Sequence, residues 1–205
     1  MRPASDQLAV GAIFLAIAVL ACLAPVQSDT WWHLRAGQDL WQTGRVSLID
    51  TYSYTAAGRP WPNHEWLTQL LFAGLYRLGG LPLLQAATAG ALTLALVFVW
   101  RMRTGSFEVA LLILAVGLIP SVVVWAVRPQ AYSLALFAAT CFSIRRDRWV
   151  WLPVVMAVWT NLHGAVALGI VAVWAAALAT TWRARRIAWR ETTVALACLA
   201  ATGLS

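Results

Sequence analysis

An all-α, polytopic transmembrane bundle with one long polar outer loop is the fold class this sequence predicts, and three observations carry that prediction. Of 205 residues, 61% are hydrophobic and only 11% charged, with a mean hydropathy of +0.71, which leaves too little polar surface to cover a soluble core. The net charge of +7 comes entirely from arginine, since the chain has no lysine, and the arginines fall in short clusters between apolar runs. Such spacing carries topology information rather than a nucleic-acid footprint, so nucleic acid is not an expected partner. The third observation is the stretch from Asp29 to Trp66, the one long polar segment, with Trp31, Trp32, Trp41, Trp61 and Trp66 beside His33 and His64. Tryptophan among polar groups suits a membrane–water boundary.

Residues 1–7 carry Arg2 and Asp6 and lead into an apolar run from Leu8 to Val26. That run is long enough to cross a hydrocarbon core about 30 Å thick. A cleaved signal peptide is disfavoured, because cleavage after Ala24 would place Pro25 next, ahead of a membrane domain. After Asp29, the residues Trp31, Trp32, Leu34, Leu40 and Trp41 read as one face of an amphipathic surface helix that stops at Gly44. Residues 45–63 hold Gly58, Pro60 and Pro62 among hydroxyl residues and read as loop. From His64 to Leu78 the pattern is helical again but short and polar.

Parity decides whether residues 64–78 cross. The clusters Arg101/Arg103, Arg145/Arg146/Arg148 and Arg183/Arg185/Arg186/Arg190 should all be cytoplasmic. With the 29–66 loop outside, one crossing is needed before Arg101, and Pro82 to Trp100 supplies it. Residues 64–78 are then a second juxtamembrane helix, and the outer loop runs over about residues 27–80. The remaining runs alternate at 106–127, 131–144, 149–160, 165–182 and from Thr192 onward. Arg128-Pro129-Gln130 and Asn161-Leu162-His163-Gly164 both fall on the outer side with Asp29. The runs 131–144 and 149–160 are short, which places Arg128 and His163 below the outer surface. The last run is too short to span comfortably, so residues 1–205 read as a single transmembrane domain, the N-terminal part of a longer module. Cys22, Cys141 and Cys198 lie in apolar segments and form neither a disulfide framework nor a metal-spacing motif.

The segment Asp29-Thr30-Trp31-Trp32-His33-Leu34-Arg35, followed by Asp50-Thr51-Tyr52-Ser53-Tyr54 and Gly58, resembles the first outer loop of catalytic oligosaccharyltransferase subunits. The arrangement of span, long outer loop and arginine-flanked span is also similar to protein O-mannosyltransferases and lipid A aminoarabinose transferases. All belong to the polytopic GT-C glycosyltransferase superfamily, and the architectural resemblance covers residues 1–182. It implies a donor sugar linked to a polyprenyl phosphate or diphosphate. It also implies a catalytic or metal-binding role for Asp29, with Mg or Mn as the divalent cation. Arg128-Pro129-Gln130 occupies the place where many members carry a second acid.

Each candidate also has a plainer reading. Asp29 is either a helix N-cap or the carboxylate that activates an acceptor. His33, one turn on, shares its face and either bonds Asp29 or the donor phosphate or is an interfacial histidine satisfied by water. Glu65, beside His64, either favours the dipole of the helix it begins or joins catalysis or metal binding. Asp50 either makes a turn or contributes chemistry. Arg128 below the surface needs a partner, either a structural carboxylate (Asp29 or Glu65) or a bound phosphate. His163, at a helix break before Gly164, is either a substrate-binding residue or a structural one satisfied by water, and His64 and Gln130 are further candidates for substrate contact.

The expectation is a membrane glycosyltransferase of the cytoplasmic (inner) membrane with its site on the outer face. It moves a sugar from a polyprenyl-linked donor to an acceptor the sequence does not name. A lipid-phosphate carrier or flippase would need the arginine and histidines but not the acids. A structural membrane subunit would need none of them.

Overall fold

A computed structural model describes residues 4–122 and 125–203, and the described chain is all-helical. The helices are α1 (Ala4–Ala21), α2 (Ser28–Thr43), α3 (Trp66–Arg101), α4 (Phe107–Val122), α5 (Pro129–Arg145), α6 (Leu152–Leu162), α7 (Val166–Ala184) and α8 (Trp189–Thr202). Two of them, α3 and α7, are long and apolar enough to cross a membrane. Arg2, residues 123–124 of the expected 106–127 run and the end at Ser205 lie outside the described residues.

The first helix stops at Ala21 rather than Val26. Pro25 cannot continue it, and the chain closes with tight bonds from the Leu23 and Ala24 amides to the Leu20 and Ala21 carbonyls. Gly44 ends α2 in the left-handed conformation (φ 66°), its amide donating to the Leu40 carbonyl. The loop that follows is pinned by a bridge between Ile49 and Pro60, with the Asp50 amide donating to the Arg59 carbonyl and the Trp61 amide to the Leu48 carbonyl. α3 is broken where the sequence divides it, because Gly79 and Gly80 are non-helical ahead of Pro82. Gly80 (φ 63°, ψ −157°) occupies a region essentially closed to residues with a Cβ.

α2 lies against the 66–78 part of α3, and the residues expected to share one face are divided between its buried and exposed sides. Thr30, His33, Leu34, Ala36 and Gly37 are buried, whereas Trp31 and Trp41 are exposed. The cause is the closeness of the crossing: a Cβ on Gly37 would lie 1.9 Å from the Gln69 carbonyl oxygen. Only a backbone-thin face fits there, so the tryptophans turn outward. Gly37→Ala should therefore destabilise the fold as much as a severe core overpacking, about 3 kcal/mol, and lower the unfolding midpoint accordingly. Gly90→Ala, where nothing lies within 4 Å, serves as its control in a thermal-denaturation series. Equal midpoints for the two variants would contradict the close crossing.

The second part of α3 packs between α1 and α5, with Ala89 and Leu92 against Ile17, Ala21 and Ala131. α6, α7 and α8 form a second cluster around Trp159, Met156, Val173 and Cys198. Gly169 of α7 admits the Trp159 ring, since a Cβ there would meet it at 2.5 Å.

Candidate active site

Two sets of buried hydrogen bonds bring distant segments to one end of the bundle. Thr30 Oγ1 donates to the Val127 carbonyl at 2.6 Å and accepts the Gln27 amide at 3.1 Å, while the Val127 amide donates to the Pro25 carbonyl. Val127 is packed under Phe72 and Leu84, so the next residue, Arg128, is held beside the start of α2. On the other side, Thr68 Oγ1 donates to the Leu162 carbonyl at 2.7 Å, and Trp66 Nε1 donates to Asn161 Oδ1 at 2.8 Å. Those bonds set the start of α3 against the end of α6. Buried Asn63 and Gln69 exchange amide bonds at 2.7 and 3.0 Å and fix the turn that carries His64 and Glu65.

The result is a cluster built from four separate parts of the chain. Arg128 donates to an Asp29 carboxylate oxygen and, at 3.2 Å, to Gln27 Oε1. Its Nε is buried and has no partner. Glu65 is faced by all three histidines: His163 Nε2 lies 3.5 Å from one carboxylate oxygen, His64 Nε2 3.9 Å from the same atom, and His33 Nε2 3.6 Å from the other. Glu65 is the N-cap residue of α3, but its side chain makes no capping bond and is turned to the histidines instead. Asp29 is not the N-cap of α2 either. Gln27 holds that place, and Asp29 sits in the first helical turn, where its charge suits the dipole.

The tautomer of His163 follows from its partners. The Ala165 amide can only donate, and it points at Nδ1 at 3.3 Å. Ser133 Oγ accepts from Trp159 Nε1 at 2.7 Å and lies 2.9 Å from the same Nδ1, so its own proton is directed there. Nδ1 is then an acceptor, and the ring proton sits on Nε2, facing Glu65. His64 is the reverse. Its Nδ1 donates to the Pro62 carbonyl at 3.0 Å, leaving the Nε2 lone pair on the side of Glu65. Gly164 makes room for that ring, because a Cβ there would come within 3.1 Å of His64 Nε2.

Burial dominates the ionisation of the cluster. It pulls His33 down to about 3, with Asp29 opposing and Arg128, His163 and His64 reinforcing. His163 is lowered as well, first by burial and then by His64 and Arg128. Glu65 is raised, chiefly by burial and secondarily by Asp29, against the opposing effects of His64 and Arg128. At neutral pH the arrangement is a carboxyl held above its ordinary value between neutral His33 and His163, the environment of a general acid–base group.

Of the sequence-derived candidates, Asp29, His33, His64, Glu65, Arg128 and His163 are brought together. Gln130 is not among them: it is exposed on the first turn of α5. Asp50 makes a turn, accepting from the Tyr52 and Ser53 amides and the Ser53 hydroxyl, and those bonds hold its carboxyl below the usual range. Ser133, Thr30 and Thr68 were missed. Ser133 could have been suspected as the first serine after Arg128, one and a half turns on, whereas the roles of Thr30 and Thr68 depend on carbonyls far along the chain.

A divalent cation at Asp29 does not fit this geometry, because the guanidinium of Arg128 already takes the carboxylate and would repel a second positive charge. Among the described residues no group of three or more His, Cys, Asp and Glu side chains is arranged to hold a metal ion. No known protein family, curated protein or solved structure matches this chain.

Proposed function

We propose that the chain is a polytopic, GT-C-like membrane glycosyltransferase of the cytoplasmic membrane that transfers a sugar from a polyprenyl-phosphate-linked donor at its outer face. The membrane reading is supported by the side chains α1, α4 and α7 leave uncovered: Leu15 and Leu20, Ile113 and Ile119, Val171 and Leu178 are all more than half exposed. Helices apolar on their outward faces suit lipid rather than water. The rise of α5, about 25 Å over its 17 residues, separates Arg128 from Arg145 by nearly a hydrocarbon thickness.

The observation that carries the transferase reading is the convergence of one arginine, with an unpartnered buried Nε, and two carboxylates among histidines. A donor phosphate would compete with Asp29 for Arg128, as a bidentate partner for its fork. The acceptor hydroxyl attacks the anomeric carbon while the carbon–oxygen bond to phosphate breaks. The bond's electron pair leaves on the phosphate oxygen, and Glu65 receives the hydroxyl proton. His64, with its Nε2 lone pair beside Glu65 and an exposed side chain, passes that proton to solvent. Asp29, once released, orients the acceptor. A single in-line displacement inverts the anomeric centre, and no step runs through a metal.

The test is reconstitution in vesicles with a polyprenyl-phosphate-linked sugar, measuring both release of polyprenyl phosphate and movement of intact donor between leaflets. Transfer predicts release that Asp29→Asn slows. Leaflet exchange of uncleaved donor, equal in the native chain and Asp29→Asn, would instead identify a carrier.

A further inference from the structure

Between the 45–63 loop, the start of α3 and the ends of α6 and α8 lies a cavity of about 510 Å³. Small-molecule sites occupy about 300–1,000 Å³, so the space suits a sugar or a short oligosaccharide. Its walls combine Val46, Leu48 and Pro62 with His64, Trp66 and Asn161. Among the described residues no aspartate, glutamate or arginine lines it, and the chain has no lysine. A phosphate, a carboxylate or the charged end of a peptide would enter without a countercharge, at the cost of its hydration.

Asn161 defines what this lining can bind. Trp66 Nε1 can only donate, so it fixes the amide oxygen of Asn161 toward the indole at 2.8 Å, and Asn161 Nδ2 gives one proton to the Ala157 carbonyl at 2.8 Å. One N–H and one oxygen lone pair of this half-buried amide remain without a partner. A donor beside an acceptor matches two neighbouring hydroxyls, each of which both donates and accepts. The same bond holds the Trp66 side chain, which with Leu48 and Pro62 supplies apolar surface for the C–H groups of a sugar ring.

His64 belongs both to this cavity and to the carboxylate cluster: it is part of the lining, and its Nε2 lies 3.9 Å from Glu65. Asp29 and Arg128 are not in the lining, so a ligand held here leaves their pair undisturbed. We propose that the cavity binds an uncharged carbohydrate, with neighbouring hydroxyls on Asn161 and its ring against Trp66 and Leu48. In the transferase reading, on which this role rests, that carbohydrate is the acceptor, since a reaction of two substrates needs a second site beside the one that holds the donor phosphate. Binding of the carbohydrate does not itself require transfer.

The experiment applies the intact chain, fluorescently labelled and held in nanodiscs without donor, to an array of neutral, sialylated and phosphorylated oligosaccharides and unmodified peptides. At least one neutral glycan should be retained about tenfold over its charged counterparts and over every peptide. Leu48→Trp fills the cavity from a side chain that is 67% exposed and should cut that retention about tenfold. Asn161→Asp keeps the acceptor for Trp66 but removes the amide protons, and should cut it as well. Ile49→Trp enlarges the next residue, which is exposed and outside the lining, and should leave retention unchanged. Equal loss in Leu48→Trp and Ile49→Trp, or no loss in Leu48→Trp, would overturn the proposal. So would retention of peptides or charged glycans in preference, or of no glycan at all. With no donor present, retention can persist where polyprenyl phosphate is never released, and release can occur where no glycan is held, so this inference and the transferase reading fail separately.

Discussion

Glu65→Gln should cut sugar transfer by about two to four orders of magnitude, the usual contribution of a positioned general base, while donor affinity stays within a few-fold of native. The amide keeps the shape of the carboxyl and removes only the group that accepts a proton, so a purely structural role for Glu65 predicts little loss. The pH profile adds a second reading. Burial raises the Glu65 carboxyl above its ordinary 4.5, so the acid limb of the transfer rate should lie above that value and disappear in the variant. The sign for stability runs the other way. A carboxyl whose folded value is raised binds its proton more tightly when folded, so its ionisation destabilises the fold at every pH above that raised value. Glu65→Gln should accordingly unfold at a higher temperature than the native chain at neutral pH, and at the same temperature once pH falls below the ordinary glutamate value. A variant that is inactive and also less stable at pH 7 would count against Glu65 as an acid–base group.

Arg128→Ala should weaken donor binding by about 2–5 kcal/mol, roughly 30- to 4,000-fold, because it removes the charge partner of a partly desolvated phosphate. With a third of the Arg128 side chain exposed, the lower half of that range is expected. Arg128→Lys should recover only part of the loss, since a point charge does not reproduce a two-pronged contact. The arginine also pairs with Asp29, and a purely structural pair would produce the same result from either side. Asp29→Asn separates the two readings: with the competing carboxylate gone, donor affinity should hold or tighten while transfer slows. If Asp29→Asn and Arg128→Ala weaken donor binding equally, with a double variant no worse than either, the pair supports the fold and does not bind donor.

The chain's helices were legible before any coordinates, because what defines them is local. Apolar runs of spanning length, Gly44 after α2 and the Gly79-Gly80-Leu81-Pro82 break in α3 act through the backbone of neighbouring residues. Alternation of arginine clusters likewise assigned Asp29, Arg128 and His163 to one side, and the structure gathers them at one end of the bundle. Which face α2 buries was not legible. The apolar pattern put Trp31, Trp32, Leu34, Leu40 and Trp41 on one face of a surface helix, whereas the close approach of the Gln69 backbone to Gly37 buries Leu34 and leaves Trp31 and Trp41 exposed.

What the sequence by itself determined is the all-helical class, the approximate place of each helix and the set of polar residues that an apolar chain would not carry without purpose. Only the tertiary structure decided how they pair: Asp29 with Arg128, Glu65 with three histidines, and His163 with its proton turned toward Glu65 by Ser133 and Trp159. The physical reason is the range of the interactions. Helix periodicity and caps act over a few residues, but Thr30 meets the Val127 carbonyl and Thr68 the Leu162 carbonyl across more than ninety residues of chain. A hydroxyl and a distant carbonyl leave no periodic mark in either segment, so the bonds that assemble the site exist only once the helices have packed.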